Sequence, residues 1–105
     1  MRVWARVTLP LVLAALPWAA SAQSPPEAEA GRKLYVSSCQ RCHGINLASN
    51  GIGFDLRTFP QVEKERFLRS VTNGLRAMPA LGETLKPEQL ELLWAYIGSV
   101  NGWKP

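Results

Sequence analysis

The feature that most constrains this chain is the stretch Cys39-Gln40-Arg41-Cys42-His43. Two cysteines three positions apart lie about one helical turn from each other. Both sulfurs can therefore reach one edge of a flat ligand while the next residue swings its imidazole beneath the centre. Cys-x-x-Cys-His is the attachment signature of c-type haem: the two thiols add across the vinyl groups and the adjacent His ligates the iron. Other uses of a cysteine pair fit less well. A structural zinc site needs four protein ligands, and the sequence has two Cys and one His in all. A thioredoxin-like pair should follow a strand in a βαβ pattern, and none surrounds this one. A plain disulfide leaves His43 unexplained.

The N-terminal residues read as a targeting segment. Arg2 and Arg6 form a basic start, Leu9 to Trp18 is an apolar run broken by Pro10 and Pro17, and Ala20-Ser21-Ala22 supplies a small-residue cleavage pattern. The run is shorter than the ~20 residues that span a bilayer, so cleavage before Gln23 is expected rather than a retained anchor. The expected organisation is a cleaved signal peptide over 1–22, a short tether over 23–26 and a haem domain over 27–105. Exported thiols are normally oxidised, so an exported Cys pair is either bridged or consumed by haem, and the expected location is periplasmic. The remaining domain of roughly 80 residues is near the size at which an apolar core alone becomes marginal. A haem, itself a large apolar body, would complete it. Losing Arg2 and Arg6 lowers the net charge from +4 to about +2, and two haem propionates bring it near zero, which argues against nucleic acid as a partner. The mature protein is expected to be a monomer and not an integral membrane protein.

Within that domain the apolar spacing predicts three main helices. The first runs from about Glu27 to Ser38, with Ala30, Gly31, Leu34, Tyr35 and Ser38 on one face. Gly31 there costs about 1 kcal/mol against Ala and marks close approach of another helix. The second runs from Pro60 or Gln61 to Thr72, presenting Val62, Phe67, Leu68 and Val71 inward and stopping at Asn73-Gly74. The third opens with Pro87 at its first position and carries Leu90, Leu93, Trp94 and Ile97 at the i, i+3, i+4, i+7 spacing, with Gly98 near its end. Lys86 is a poor N-cap, so Thr84 or water is expected to serve. Residues 44–60 and 74–85 read as irregular. Loops this long are uncommon in a compact domain unless functional, and a haem would organise both. No stretch alternates with period two, so the fold class is all-α.

A haem iron held by one His has a sixth position to fill. The sequence has no second His, and after removal of the leader Met78 is the one thioether left. Pro79 biases it toward extended backbone, and a thioether opposite His raises the reduction potential and closes the iron to small ligands. The plainer alternative is that Met78 fills the core, as many methionines do.

Several motifs in order now resemble a known family. Gly31-x3-Tyr35-x3-Cys39-x2-Cys42-His43-Gly44, Gly53-x2-Leu56, Asn73-Gly74-x3-Met78-Pro79 and Leu93-Trp94-x-Tyr96-Ile97 together look like a small monohaem class I cytochrome c. The resemblance implies the cytochrome c fold, with the first and last helices crossing near Gly31. It implies one covalent haem c on Cys39 and Cys42, with His43 and Met78 axial and Leu56 pressed on the haem; Phe59, Phe67 and Leu81 are expected to complete the apolar contact. One departure is Gly53-Phe54-Asp55-Leu56, with Phe54 where the family usually has Pro. A backbone carbonyl survives there to accept the second ring proton of the ligating His. The run Asp55-Leu56-Arg57-Thr58-Phe59-Pro60, with Leu93-Trp94-Ala95-Tyr96, is similar to small cytochromes that serve PQQ-dependent dehydrogenases.

The function this implies is single-electron carriage, not enzyme catalysis. Its partners would be redox proteins: a PQQ-dependent dehydrogenase, a cytochrome oxidase or a reductase. Arg41 and Arg76 are candidates for guiding an acidic partner face, or are ordinary surface charge. The alternatives are an open-haem gas sensor or peroxidase-like protein, which needs Met78 off the iron, and a thiol–disulfide enzyme using Cys39 and Cys42.

Overall fold

The computed structural model describes residues 3–12 and 25–105. The predicted cleavage point after Ala22 and the first two tether residues lie outside the described residues. Four α-helices follow in order: α1 Pro26–Ser38, α2 Gln40–His43, α3 Lys64–Asn73 and α4 Pro87–Asn101. Short 3-10 turns at Ile45–Leu47, Leu56–Thr58 and Gln61–Glu63 break the predicted loop. Among the described residues the one extended pairing is an isolated bridge between Leu75 and Met78. The chain is all-α.

α1 starts at Pro26 rather than Glu27. Proline suits this place because its missing N–H would have no helical partner anyway, and Glu27 and Glu29 sit in the first turn, where negative charge opposes the dipole. Its buried face is Ala28, Gly31 and Tyr35. α4 lies across it in direct backbone contact. A Cβ placed on Gly31 would fall 1.9 Å from the Leu92 carbonyl oxygen, so only glycine permits this crossing. The Tyr35 and Tyr96 rings meet at 5.1 Å, and Tyr35, Leu93 and Ile97 are almost wholly buried beside them. Each such side chain contributes roughly 1.5–3 kcal/mol, which makes this crossing the centre of the fold.

Three expectations need correction. The second predicted helix begins at Lys64, because Gln61–Glu63 form a 3-10 turn first. Val62 consequently points outward and is 92% exposed, while Phe67 and Val71 are buried as predicted. At the start of α4, Lys86 does take the N-cap position, and its backbone N–H is satisfied by the Gln89 side-chain oxygen at 2.8 Å. α4 ends at Asn101, with Gly98 near its end as predicted, and stops at Gly102, which adopts the left-handed conformation.

Candidate haem site

Cys39 stands at the kink between α1 and α2. Its N–H still bonds to the Tyr35 carbonyl at 2.8 Å, and its own carbonyl accepts from Cys42 at 3.1 Å and His43 at 2.9 Å. The two thiols and the imidazole thus share a single tight turn, hung from the end of the helix that carries Gly31 and Tyr35. The Tyr35 hydroxyl braces this turn from beneath by donating to the Gly44 carbonyl at 2.5 Å. Both cysteines are half-buried and are not bridged to each other. Burial, and secondarily the nearby charge of Cys42, pushes the Cys39 thiol up to about 11. That is the reverse of the lowered value a thiol–disulfide enzyme needs.

The loop from 48 to 55 is folded onto this turn by its own hydrogen bonds. Asn50 donates from Nδ2 to the Arg41 carbonyl at 2.9 Å, and the Gly53 N–H donates to the Cys42 carbonyl at 2.7 Å. These contacts bring the Phe54 carbonyl to 2.8 Å from His43 Nδ1. The bond that the family resemblance implies therefore forms despite the Phe-for-Pro exchange. With Nδ1 donating its proton, Nε2 is left with the lone pair that can bind a metal. Gly53 leaves room for the ring, since a Cβ there would come 2.9 Å from His43 Nδ1.

Met78 is half-buried against the main core. It closes a two-residue turn in which Leu75 N–H bonds to the Met78 carbonyl at 3.1 Å and Met78 N–H to the Leu75 carbonyl at 2.9 Å. The segment beyond it is tied to the end of α3 by Leu81 N–H donating to the Val71 carbonyl at 2.8 Å. Leu56, Phe59 and Leu81 are likewise half-buried on the core, and Phe67 lies within it. Phe67 meets Phe59 at 6.3 Å and Trp94 at 5.1 Å. The predicted apolar contacts thus belong to one cluster. Two surface grooves, of about 630 and 500 Å³, lie elsewhere: one along α1 and the start of α4, the other beside Val36, Arg41 and Ile45.

A c-type haem fits this donor set: two thiols on one turn, an imidazole with its outer nitrogen oriented, a thioether on a separate loop, and half-buried apolar side chains packed on the same core. A structural metal ion does not, since no group of three or more His, Cys, Asp or Glu among the described residues could hold one. No helix among them is long and apolar enough to cross a membrane. Sequence reasoning singled out the Gly53–Leu56 segment but missed Asn50 as a support of the attachment turn, because its role depends on loop geometry. Leu68 packs against the core as its spacing predicts.

The family model described as cytochrome c oxidase, cbb3-type, subunit III matches residues 26–97. Cytochrome c6 of Gloeothece citriformis is 32% identical over 104 residues, covering 92% of this chain and 94% of the relative. Quinohemoprotein alcohol dehydrogenase ADH IIB of Pseudomonas putida is 34% identical over 79 residues, which is 72% of this chain but 11% of the relative. Cytochrome c550 of Pseudomonas aeruginosa is 32% identical over 80 residues, covering 70% of this chain and 55% of the relative. No solved structure matches the chain. Since the likeness to the dehydrogenase takes in only a small part of a much larger protein, while the likeness to cytochrome c6 runs nearly end to end, the chain belongs with the small monohaem class I cytochromes c, electron-transfer proteins that carry one covalent haem c.

Proposed function

We propose that this cytochrome is a periplasmic single-electron carrier, with haem attached through Cys39 and Cys42 and ligated by His43 and Met78. The observation that carries the ligand assignment is the 2.8 Å bond between His43 Nδ1 and the Phe54 carbonyl, which orients the imidazole and leaves Nε2 for iron. Met78 follows as the remaining thioether, held on a short hydrogen-bonded turn against the same core. When bound, the haem supplies a one-electron ferric/ferrous couple. The protein's part is to hold both ligands still, so that little reorganises when the electron moves. It also keeps water from the apolar face through Leu56, Phe59, Phe67 and Leu81.

The quinohemoprotein relatives and the oxidase-subunit family model support electron transfer from a PQQ-dependent dehydrogenase to a respiratory acceptor such as a cytochrome oxidase. Arg41 beside the attachment turn and Arg76 before Met78 are both exposed and would guide an acidic partner face. The test is spectroscopic. The purified protein should cycle reversibly by one electron, and its ferrous form should bind carbon monoxide slowly. Met78→Ala should lower the potential and bind carbon monoxide readily. Rapid binding by the unmutated protein would instead favour the open-haem sensor or peroxidase-like reading.

A further inference from the structure

The last residues of the chain grip the segment on which the site depends. Beyond α4, Gly102 turns the backbone so that the Trp103 N–H returns to the Gly98 carbonyl at 2.9 Å. This lays the Trp103 indole over Gly98, where a Cβ would come 2.9 Å from its ring. The indole packs on Trp94 at 4.3 Å between centroids. Trp94 in turn meets the edge of Phe59 at 5.9 Å, and the Arg66 guanidinium lies over Phe59 at 4.6 Å. Two hydrogen bonds flank this stack. Asn101 Nδ2 donates to the Leu56 carbonyl at 2.9 Å, and Gln61 Nε2 donates to the Lys104 carbonyl at 2.6 Å.

The segment from 54 to 61 is therefore held at its start by His43, two residues later by Asn101, in its middle by Trp94 and at its end by the Lys104 backbone. It presents the carbonyl that orients His43 and two of the apolar residues assigned to the haem. Three-residue 3-10 turns cannot hold such a segment by themselves.

We propose that Asn101 and Trp103 are positioning residues: they form a C-terminal clasp that fixes the 54–61 segment, and through it the orientation of His43 and the dryness of the Leu56–Phe59 wall. This rests on the haem reading of the site. Asn101 acts by pinning the Leu56 carbonyl, next but one to the carbonyl that holds His43. Trp103 acts by backing Trp94 against Phe59.

The test compares the purified holoprotein with Asn101→Ala, Trp103→Ala and Trp103→Phe. Each is measured for amide hydrogen exchange, reduction potential and carbon monoxide association with the ferrous form. In Asn101→Ala and Trp103→Ala, exchange across 56–61 should quicken by about tenfold or more while the α1–α4 core keeps its protection. The potential should fall, because water reaching the apolar wall favours the more charged ferric state, and carbon monoxide should associate faster by about the same factor as exchange. Trp103→Phe should recover most of each. Folded variants with unchanged exchange, potential and carbon monoxide rate would overturn the clasp. Should Trp103→Ala fail to fold, Asn101→Ala and Gln61→Ala, which each remove one hydrogen bond, decide the question by the same readouts. A parent protein without covalent haem would overturn the haem reading instead, and exchange at 56–61, which needs no haem signal, still decides the clasp.

Discussion

Phe54 stands where the small class I cytochromes c usually have Pro, yet its carbonyl accepts from His43 at 2.8 Å while its ring is 71% exposed. The backbone supplies the interaction and the side chain does not. Phe54→Pro should accordingly leave haem content and thermal midpoint nearly unchanged. Gly53→Ala should not, because its new Cβ would meet both His43 Nδ1 and the Cys42 carbonyl at 2.9 Å. It should cost about 1–3 kcal/mol, lowering the melting midpoint by several degrees, and shift the reduction potential. Equal behaviour of the two variants would mean that the loop, not the Gly53 position, sets the ring. The resemblance of Gly53-Phe54-Asp55-Leu56 to the family's segment made this acceptor visible in the sequence. Leu47 was not visible: it is wholly buried although Asn46 and Leu47 both have positive φ, at 53° and 67°. Consecutive left-handed residues have no periodic signature, and such strain persists only where packing compensates it.

At the scale of elements, the helix crossing was legible because a glycine inside an apolar helical face weakens the helix, a loss that close approach of a second helix offsets. The start of α3 was not, since Gln61–Glu63 and Lys64–Asn73 share one apolar spacing and only the local hydrogen bonding separates them. The same limit misdirected Val62. Gly31→Ala tests the crossing directly. With its Cβ 1.9 Å from the Leu92 oxygen, the helices must part, at a cost of about 2–3 kcal/mol, read as a lower midpoint in thermal or urea unfolding. The link from α1 to α2 has a pH signature. Tyr35 donates to the Gly44 carbonyl, and its hydroxyl is pushed up to about 12, chiefly by burial and next by the charge of Cys39. Thioether formation removes the second cause but not the first. A raised folded-state value means that the neutral phenol is favoured in the native protein. Its contribution, on the order of 2–3 kcal/mol, is present in full below pH ~10 and is lost as pH rises through about 12. Tyr35→Phe should be less stable near neutral pH and should flatten the alkaline fall in stability. An alkaline limb as steep as the parent's would assign that fall to other groups.

Across the whole molecule, two kinds of packing meet. The α1–α4 crossing is complete in itself, with Tyr35, Leu93 and Ile97 at 1–2% exposure. Cys39, Leu56, Phe59, Leu68, Met78 and Leu81 are among the side chains packed against the buried core and are only half-buried. In a domain this small, apolar surface left wet is a large fraction of the available stabilisation, so haem and fold should be coupled. The double variant Cys39→Ser with Cys42→Ser tests this. Its denatured mass should equal the bare polypeptide, against one haem more for the parent. The helices at the crossing should keep part of the far-ultraviolet dichroism, because Gly31 packs directly on Leu92 and Tyr35 on Tyr96. Residues 54–85 should lose fixed packing, giving weak near-ultraviolet dichroism and a broad thermal transition, the marks of a partly molten state. A sharp near-ultraviolet spectrum with a cooperative melt at the parental midpoint would show that the protein side chains close the core unaided. The half-buried side chains would then be an exposed surface awaiting a partner rather than one wall of a haem pocket.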